Sequence, residues 1–192
     1  MANVSSWHGD KVLHKARQAT RVRLRRCALI VEREAKRLLS KGAGATGKSS
    51  KAGAPPHVRS GALRSSVGYA IMPGGLAAIV GPTVKYGKMH EFGTRGAGGT
   101  LPDIKPKKAR ALAIPIDKSA QGRSPRSFKD LSFIKPKGKA PMLMQFSGKT
   151  MIHAKLMYVL VKSVALAPRP FMRPALRNSR RKFAEQFRGM LK

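Results

Sequence analysis

The chain has 192 residues, 42% of them hydrophobic and 6% aromatic, enough for a modest core and too apolar for a purely disordered tail. Forty Lys and Arg against eight Asp and Glu give a formal charge of +32, which calls for an acidic partner. The single cysteine, Cys27, excludes an internal disulfide. No stretch approaches the ~20 apolar residues of a membrane span, and the first residues carry no secretory signature. The expectation is a protein made in the cytoplasm with no membrane partner.

Residues 10–39 contain neither Pro nor Gly. Within them Ala16, Thr20, Leu24, Cys27, Val31, Ala35 and Leu38 step by three or four, which predicts one long amphipathic helix. At 1.5 Å per residue it would run roughly 45 Å. Arg21, Arg25 and Arg26 populate its other faces. Asp10 is the expected N-cap and Gly42 the expected stop.

Residues 41–56 are rich in Gly, Ala, Lys and Ser and predict a flexible basic linker carrying Lys48 and Lys51. Inside it, Gly42-Ala43-Gly44-Ala45-Thr46-Gly47-Lys48-Ser49 matches the phosphate-binding string G-x-x-x-x-G-K-[ST]. That chemistry needs a buried strand before the loop and a helix N-terminus after it. Here an amphipathic helix precedes, and Pro55-Pro56 follows, so no nucleotide cofactor is expected.

Ser60 is placed to cap a helical turn over 61–64. Strands are predicted over 67–72 and 76–80, joined by Pro73-Gly74-Gly75, and helical turns over 86–92 ending at Gly93. A loop rich in Gly, Pro and Lys follows over 95–110, with Lys105, Lys107 and Lys108. The run 111–116 reads as a strand, and Pro115 puts it at a sheet edge. Strands over 131–134 and 142–146 form a hairpin across Lys135-Pro136-Lys137-Gly138-Lys139. Another strand is predicted over 155–166, with Leu156, Tyr158, Leu160 and Val164 alternating against Met157, Val159 and Val161. Phe171, Ala175, Leu176, Ser179, Phe183, Phe187 and Leu191 mark a C-terminal helix over 171–191. The fold class is α+β: a long N-terminal helix, a small mainly antiparallel sheet and a C-terminal helix, with extended basic loops. The whole chain reads as a single domain, with 95–154 as a loop and hairpin insertion.

Chemistry is sparse. The five histidines are scattered, no paired-cysteine spacing occurs, and no serine sits in a nucleophile elbow. The candidate acids Asp103, Asp117 and Asp130 all lie in predicted loops. No catalytic residue, metal or cofactor is expected, and the chain does not read as an enzyme. Zinc fingers, RNA-binding aromatic strands and helix-turn-helix patterns are equally missing, so base readout is not expected. Dispersed cations suit the phosphate backbone, which carries no sequence information. Arg21, Arg25, Arg26, Lys48, Lys51, Lys105, Lys107, Lys108, Lys135, Lys137 and Lys139 are therefore the candidate contacts to duplex DNA. Acidic protein neighbours are the competing partner. A cellular nucleic-acid-binding protein, such as a basic ribosomal component on folded RNA, is the alternative function.

Three segments carry a resemblance. They are Val58-Arg59-Ser60-Gly61-Ala62-Leu63-Arg64-Ser65-Ser66-Val67; Val80-Gly81-Pro82 with Tyr86-Gly87-Lys88-Met89-His90-Glu91-Phe92-Gly93-Thr94; and Pro168-Arg169-Pro170-Phe171-Met172-Arg173-Pro174-Ala175-Leu176. In this order, behind a long helix, they resemble the tail-component family of long-tailed bacteriophages, the small neck and tail-completion proteins at the head–tail joint. The match spans about 10–94 and 155–192. The segment 95–154 is longer than in compact members and resembles instead the related virion-morphogenesis proteins of Mu-like phages, which also end in a Pro-Arg-Pro-Phe-type segment. The resemblance implies a ring or other homo-multimer with a structural role beside neighbouring neck and tail proteins. It also implies a place in the virion after assembly in the host bacterial cytoplasm.

Its marker residues are Gly61, Leu63, Arg64, Tyr86, Glu91, Phe92, Gly93, Thr94, Arg169, Pro170, Phe171 and Pro174. Physically, Glu91 is expected to pair with an arginine, and Gly93 to allow a turn that a Cβ would hinder. Pro170 and Pro174 fix φ at the start of the last helix, which Phe171 anchors to the sheet.

Overall fold

A computed structural model of the chain describes residues 9–40, 49–146 and 154–188. The chain divides into two compact units, Met1–Leu101 with Leu166–Lys192, and Pro102–Ala165. The architecture is α+β: a long N-terminal helix, small antiparallel sheets and a C-terminal helix.

In the first unit, helix α1 (Gly9–Ser40) is present as predicted, but its predicted stripe is buried only from Cys27 onward; Ala16 is exposed and Thr20 and Leu24 are half-buried. Asp10 lies inside the described helix rather than at an N-cap. The expected stop at Gly42 and the 42–49 string up to Lys48 lie outside the described residues, though a helix does precede them. Burial changes along α1. Val12, Leu13 and Val22 are more than half exposed, whereas Cys27, Ala28, Val31, Ala35, Leu38 and Leu39 are buried.

That buried stripe meets helix α4 (Met172–Phe187) and the hairpin of β1 (Val67–Ile71) and β2 (Ala78–Pro82). Val31, Ala35, Leu38, Leu39, Val67, Phe171 and Ala175 form one core cluster. Ala35 and Ala175 are fully buried, and such small side chains let helix backbones approach closely. Phe171 is the largest side chain of the cluster, and burying it contributes about 2 kcal/mol. Ser179, buried on the same face, satisfies its hydroxyl by donating to the Ala175 carbonyl at 2.7 Å.

The hairpin differs from its predicted bounds. Gly74 and Gly75 take φ of +87° and +73°, and the Met72 amide donates to the Ala77 carbonyl at 2.9 Å. The turn therefore extends to Ala77, and the second strand starts two residues later than the apolar run suggests. Helix α2 (Ala62–Ser65) follows Gly61, with the Ser60 hydroxyl 3.4 Å from the Ala62 amide. Helix α3 (Lys85–Phe92) ends at Gly93 as expected.

The second unit is an antiparallel sheet in the order β3-β6-β5-β4. Its strands are β3 (Leu112–Pro115), β4 (Leu131–Ile134), β5 (Met142–Phe146) and β6 (Ala154–Val161). Pro115 does fall on an edge strand, and the predicted hairpin of β4 and β5 is present. β6 ends at Val161, short of the predicted 166, and its predicted alternation fails. The register jumps from Leu143 opposite Tyr158 to Met144 opposite Leu156, so β6 carries an extra residue. Met157 and Tyr158, expected on opposite faces, consequently share one buried cluster with Ala120.

Candidate functional site

The second and third motif segments lock together antiparallel in the first unit. Glu91, buried on α3, accepts hydrogen bonds from the amides of Phe171, Met172 and Arg173 at 2.8, 2.9 and 3.0 Å. The next residue, Pro174, has no N–H to satisfy, and the Ala175 amide makes the first bond within the helix, to the Phe171 carbonyl. Every free donor in the first turn of α4 is thus taken by one carboxylate from a distant segment. The expected Glu91–arginine pair is secondary: Arg173 Nε lies 4.0 Å away, and its guanidinium sits 4.8 Å over the Phe92 ring.

Flanking bonds extend the clamp. The Arg169 amide donates to the His90 carbonyl at 2.6 Å. Thr94 and Leu166 bond reciprocally, Thr94 N to Leu166 O and Leu166 N to Thr94 Oγ1, both at 2.8 Å. Gly93 takes φ +62° and ψ 177°, a region essentially limited to glycine. A Cβ there would meet the Pro168 nitrogen at 2.5 Å and the Leu166 carbonyl at 2.9 Å. The described part of the expected linker joins in: Gly53 N donates to Pro168 O at 2.8 Å, and Arg169 Nε to Ser50 O at 3.0 Å.

The first motif segment reaches the same place. Leu63 packs on the core cluster, and Arg64 donates to Ser40 Oγ at 3.1 Å. Gly87 permits this approach, because a Cβ there would strike Pro82 Cγ at 2.5 Å and Leu63 Cδ1 at 3.3 Å. Tyr86 and His90 of α3, the 58–64 segment and Arg169 all border one cavity of about 380 Å³. Burial, with Arg169 beside it, pushes the His90 pKa down, so the ring is neutral at neutral pH. Thus Gly61, Leu63, Arg64, Tyr86, Glu91, Phe92, Gly93, Thr94, Arg169, Pro170, Phe171 and Pro174 all lie in one unit, around one clamp and one cavity.

The candidate DNA contacts divide between the units. In the first, Arg21, Arg25, Arg26 and Lys51 are exposed, and Arg25 Nε donates to the Tyr69 hydroxyl at 3.0 Å. Lys48 lies outside the described residues. In the second unit the topology gathers the rest. Leu112 pairs with Val161, Met142 with Val159, and Ile134 with Met142, so the start of β3, the end of β6, the start of β5 and the end of β4 share one end of the sheet. Ile104 pairs with Val164 at that end, and residues 105–111 loop out between the two pairings. Lys105, Lys107, Lys108, Lys135, Lys137 and Lys139 are therefore brought to one end, all exposed, across four strands spanning roughly 15 Å. Lys162 joins them, a cation absent from the expected set although it directly follows a strand.

At the opposite end Asp117 pairs with Lys155 Nζ at 3.0 Å. The Ser119 hydroxyl and amide, then Lys155, lower the Asp117 pKa to about 2.

Among the described residues no group of three or more His, Cys, Asp or Glu is placed to hold a metal ion. No described helix is long and apolar enough to cross a membrane. Compared with known proteins, the chain matches no family model, no curated protein and no solved structure.

Proposed function

We propose that the chain is a structural, non-catalytic subunit of a bacteriophage neck or tail end, completing the tail or joining it to the head. It works as a ring or other homo-multimer beside neighbouring neck and tail proteins, and its basic loops contact duplex DNA without reading its sequence. The observation that carries this reading is the packing of the three family-like segments, far apart in the chain, around one clamp and one cavity. The lysine end of the second unit supports the DNA contact, because a row of exposed ammonium groups suits phosphates and offers nothing to base edges.

The test is duplex binding as a function of salt. The affinity should fall linearly on a log–log plot, with a slope of about 0.9 for each phosphate neutralised. Replacing Lys107 and Lys137 by Gln should lower that slope by about one for each phosphate released, on any sequence. A flat salt response would remove DNA and leave acidic proteins as the partner. Preference for folded RNA over duplex DNA would favour the cellular RNA-binding alternative. Imaging of the purified protein checks the multimer separately.

A further inference from the structure

Among the described residues, two buried side-chain polar atoms lack a hydrogen-bond partner: Ser50 Oγ and His90 Nδ1. Both residues belong to the wall of the 380 Å³ cavity bounded by the three motif segments. An unpartnered buried polar group costs about 1–3 kcal/mol, and folded proteins leave few of them. That both border the same cavity points to a group from outside the chain that completes their hydrogen bonding.

The wall also sets the charge of that group. Arg64 and Arg169 line the cavity, and among the described residues no Asp or Glu does. Arg169 is held in place by its bonds to the Ser50 and Ala167 carbonyls, at 3.0 and 3.4 Å, and Arg64 by Ser40. Guanidinium groups fixed in this way favour a planar, bidentate acceptor. Neutral His90 can offer one donor and one acceptor.

Val58 and Leu63 add apolar surface beside the cations. A bare phosphate would leave that surface unused, and a duplex presents its phosphates on the outside of a stiff rod. A second copy of this chain, itself at +32, is a poor source of acidic groups.

We propose that this cavity binds a carboxylate carried on a peptide, an acidic side chain flanked by apolar residues from a different, acidic protein of the assembly. The proposal rests on the reading of the chain as an assembly subunit. Its test is independent of the DNA salt slope, so either can fail alone.

The full chain is titrated calorimetrically with a blocked hexapeptide of alternating Leu and Glu, and with its Leu–Gln counterpart. The Glu peptide should bind and shift the His90 ring signals in NMR spectra, and the Gln peptide should do neither. Arg64→Gln should weaken the Glu peptide about tenfold, a loss of one charge-assisted bond. Arg177→Gln with Arg181→Gln, which removes more charge from exposed α4 positions outside the cavity, should change it less than twofold. Equal binding of both peptides, unmoved His90 signals in the unaltered protein, or equal weakening by the α4 variant would overturn the proposal. Inorganic phosphate displacing the peptide and losing affinity with Arg64→Gln would overturn it in favour of a phosphate site.

Discussion

In the first unit, α1, α4 and Val67 close over Phe171, and a buried carboxylate fixes where α4 begins. In the second, the described buried hydrophobics are Ala120, Met157 and Tyr158, and most other sheet residues are half-buried or exposed. One unit depends on a few residues that nothing else can replace. The other spreads its stability over ladder hydrogen bonds and partial burial, leaving its lysine end open. Single substitutions should therefore act more strongly in the first unit, and local hydrogen exchange can report each unit separately.

The largest effect is expected at Glu91. Glu91→Ala leaves the amides of Phe171, Met172 and Arg173 without their acceptor, and three orphaned donors should cost about 3–5 kcal/mol. Glu91→Gln keeps the shape and one acceptor oxygen, so it should lose less. Chemical denaturation with hydrogen exchange checks both. The comparison breaks if the second unit loses protection as early as the first.

Gly93→Ala comes next. The residue's φ of +62° with ψ near 180° is strained for any side chain, and the new Cβ meets backbone atoms that cannot rotate away. A loss of about 3 kcal/mol is expected, from strain and contact together. A variant as stable as the parent would show that the Gly93–Pro168 crossing is not rigid.

The clamp is only half legible in the sequence. The long helix and the β4–β5 hairpin follow from periodicity, because local pattern and tertiary burial agree there. Phe171 is an anchor as expected, although its main partners are α1 and Val67. Glu91 stands out in a basic chain, but its composition suggests an arginine as the partner. Its true partners are backbone amides some eighty residues away, and an amide leaves no trace in a residue pattern. A signal does exist: Pro174 removes one donor from the first turn, so a single carboxylate suffices for the other three. The β6 bulge is hidden because Met157 and Tyr158 fit an alternating strand as well as a bulged one. The lysine end needs strand order and register, which residue spacing does not contain.

The smallest effect should come from the second unit. The Tyr158 hydroxyl donates to the Arg123 carbonyl at 2.9 Å and lies 3.4 Å from the Ala120 carbonyl, while the ring packs edge-on to Phe128 at 6.1 Å. Tyr158→Phe keeps the ring contact and removes only these hydroxyl bonds, so about 1 kcal/mol should be lost. Exchange should quicken around Ala120 and Arg123 and stay unchanged at Phe171. Because Arg123 also sits over the Phe128 ring at 4.7 Å, and that ring packs on Tyr158, the loop keeps a second, aromatic tie. A loss as large as that of Glu91→Ala would mean that the second unit, too, hangs on one polar contact, and the contrast between the units would disappear.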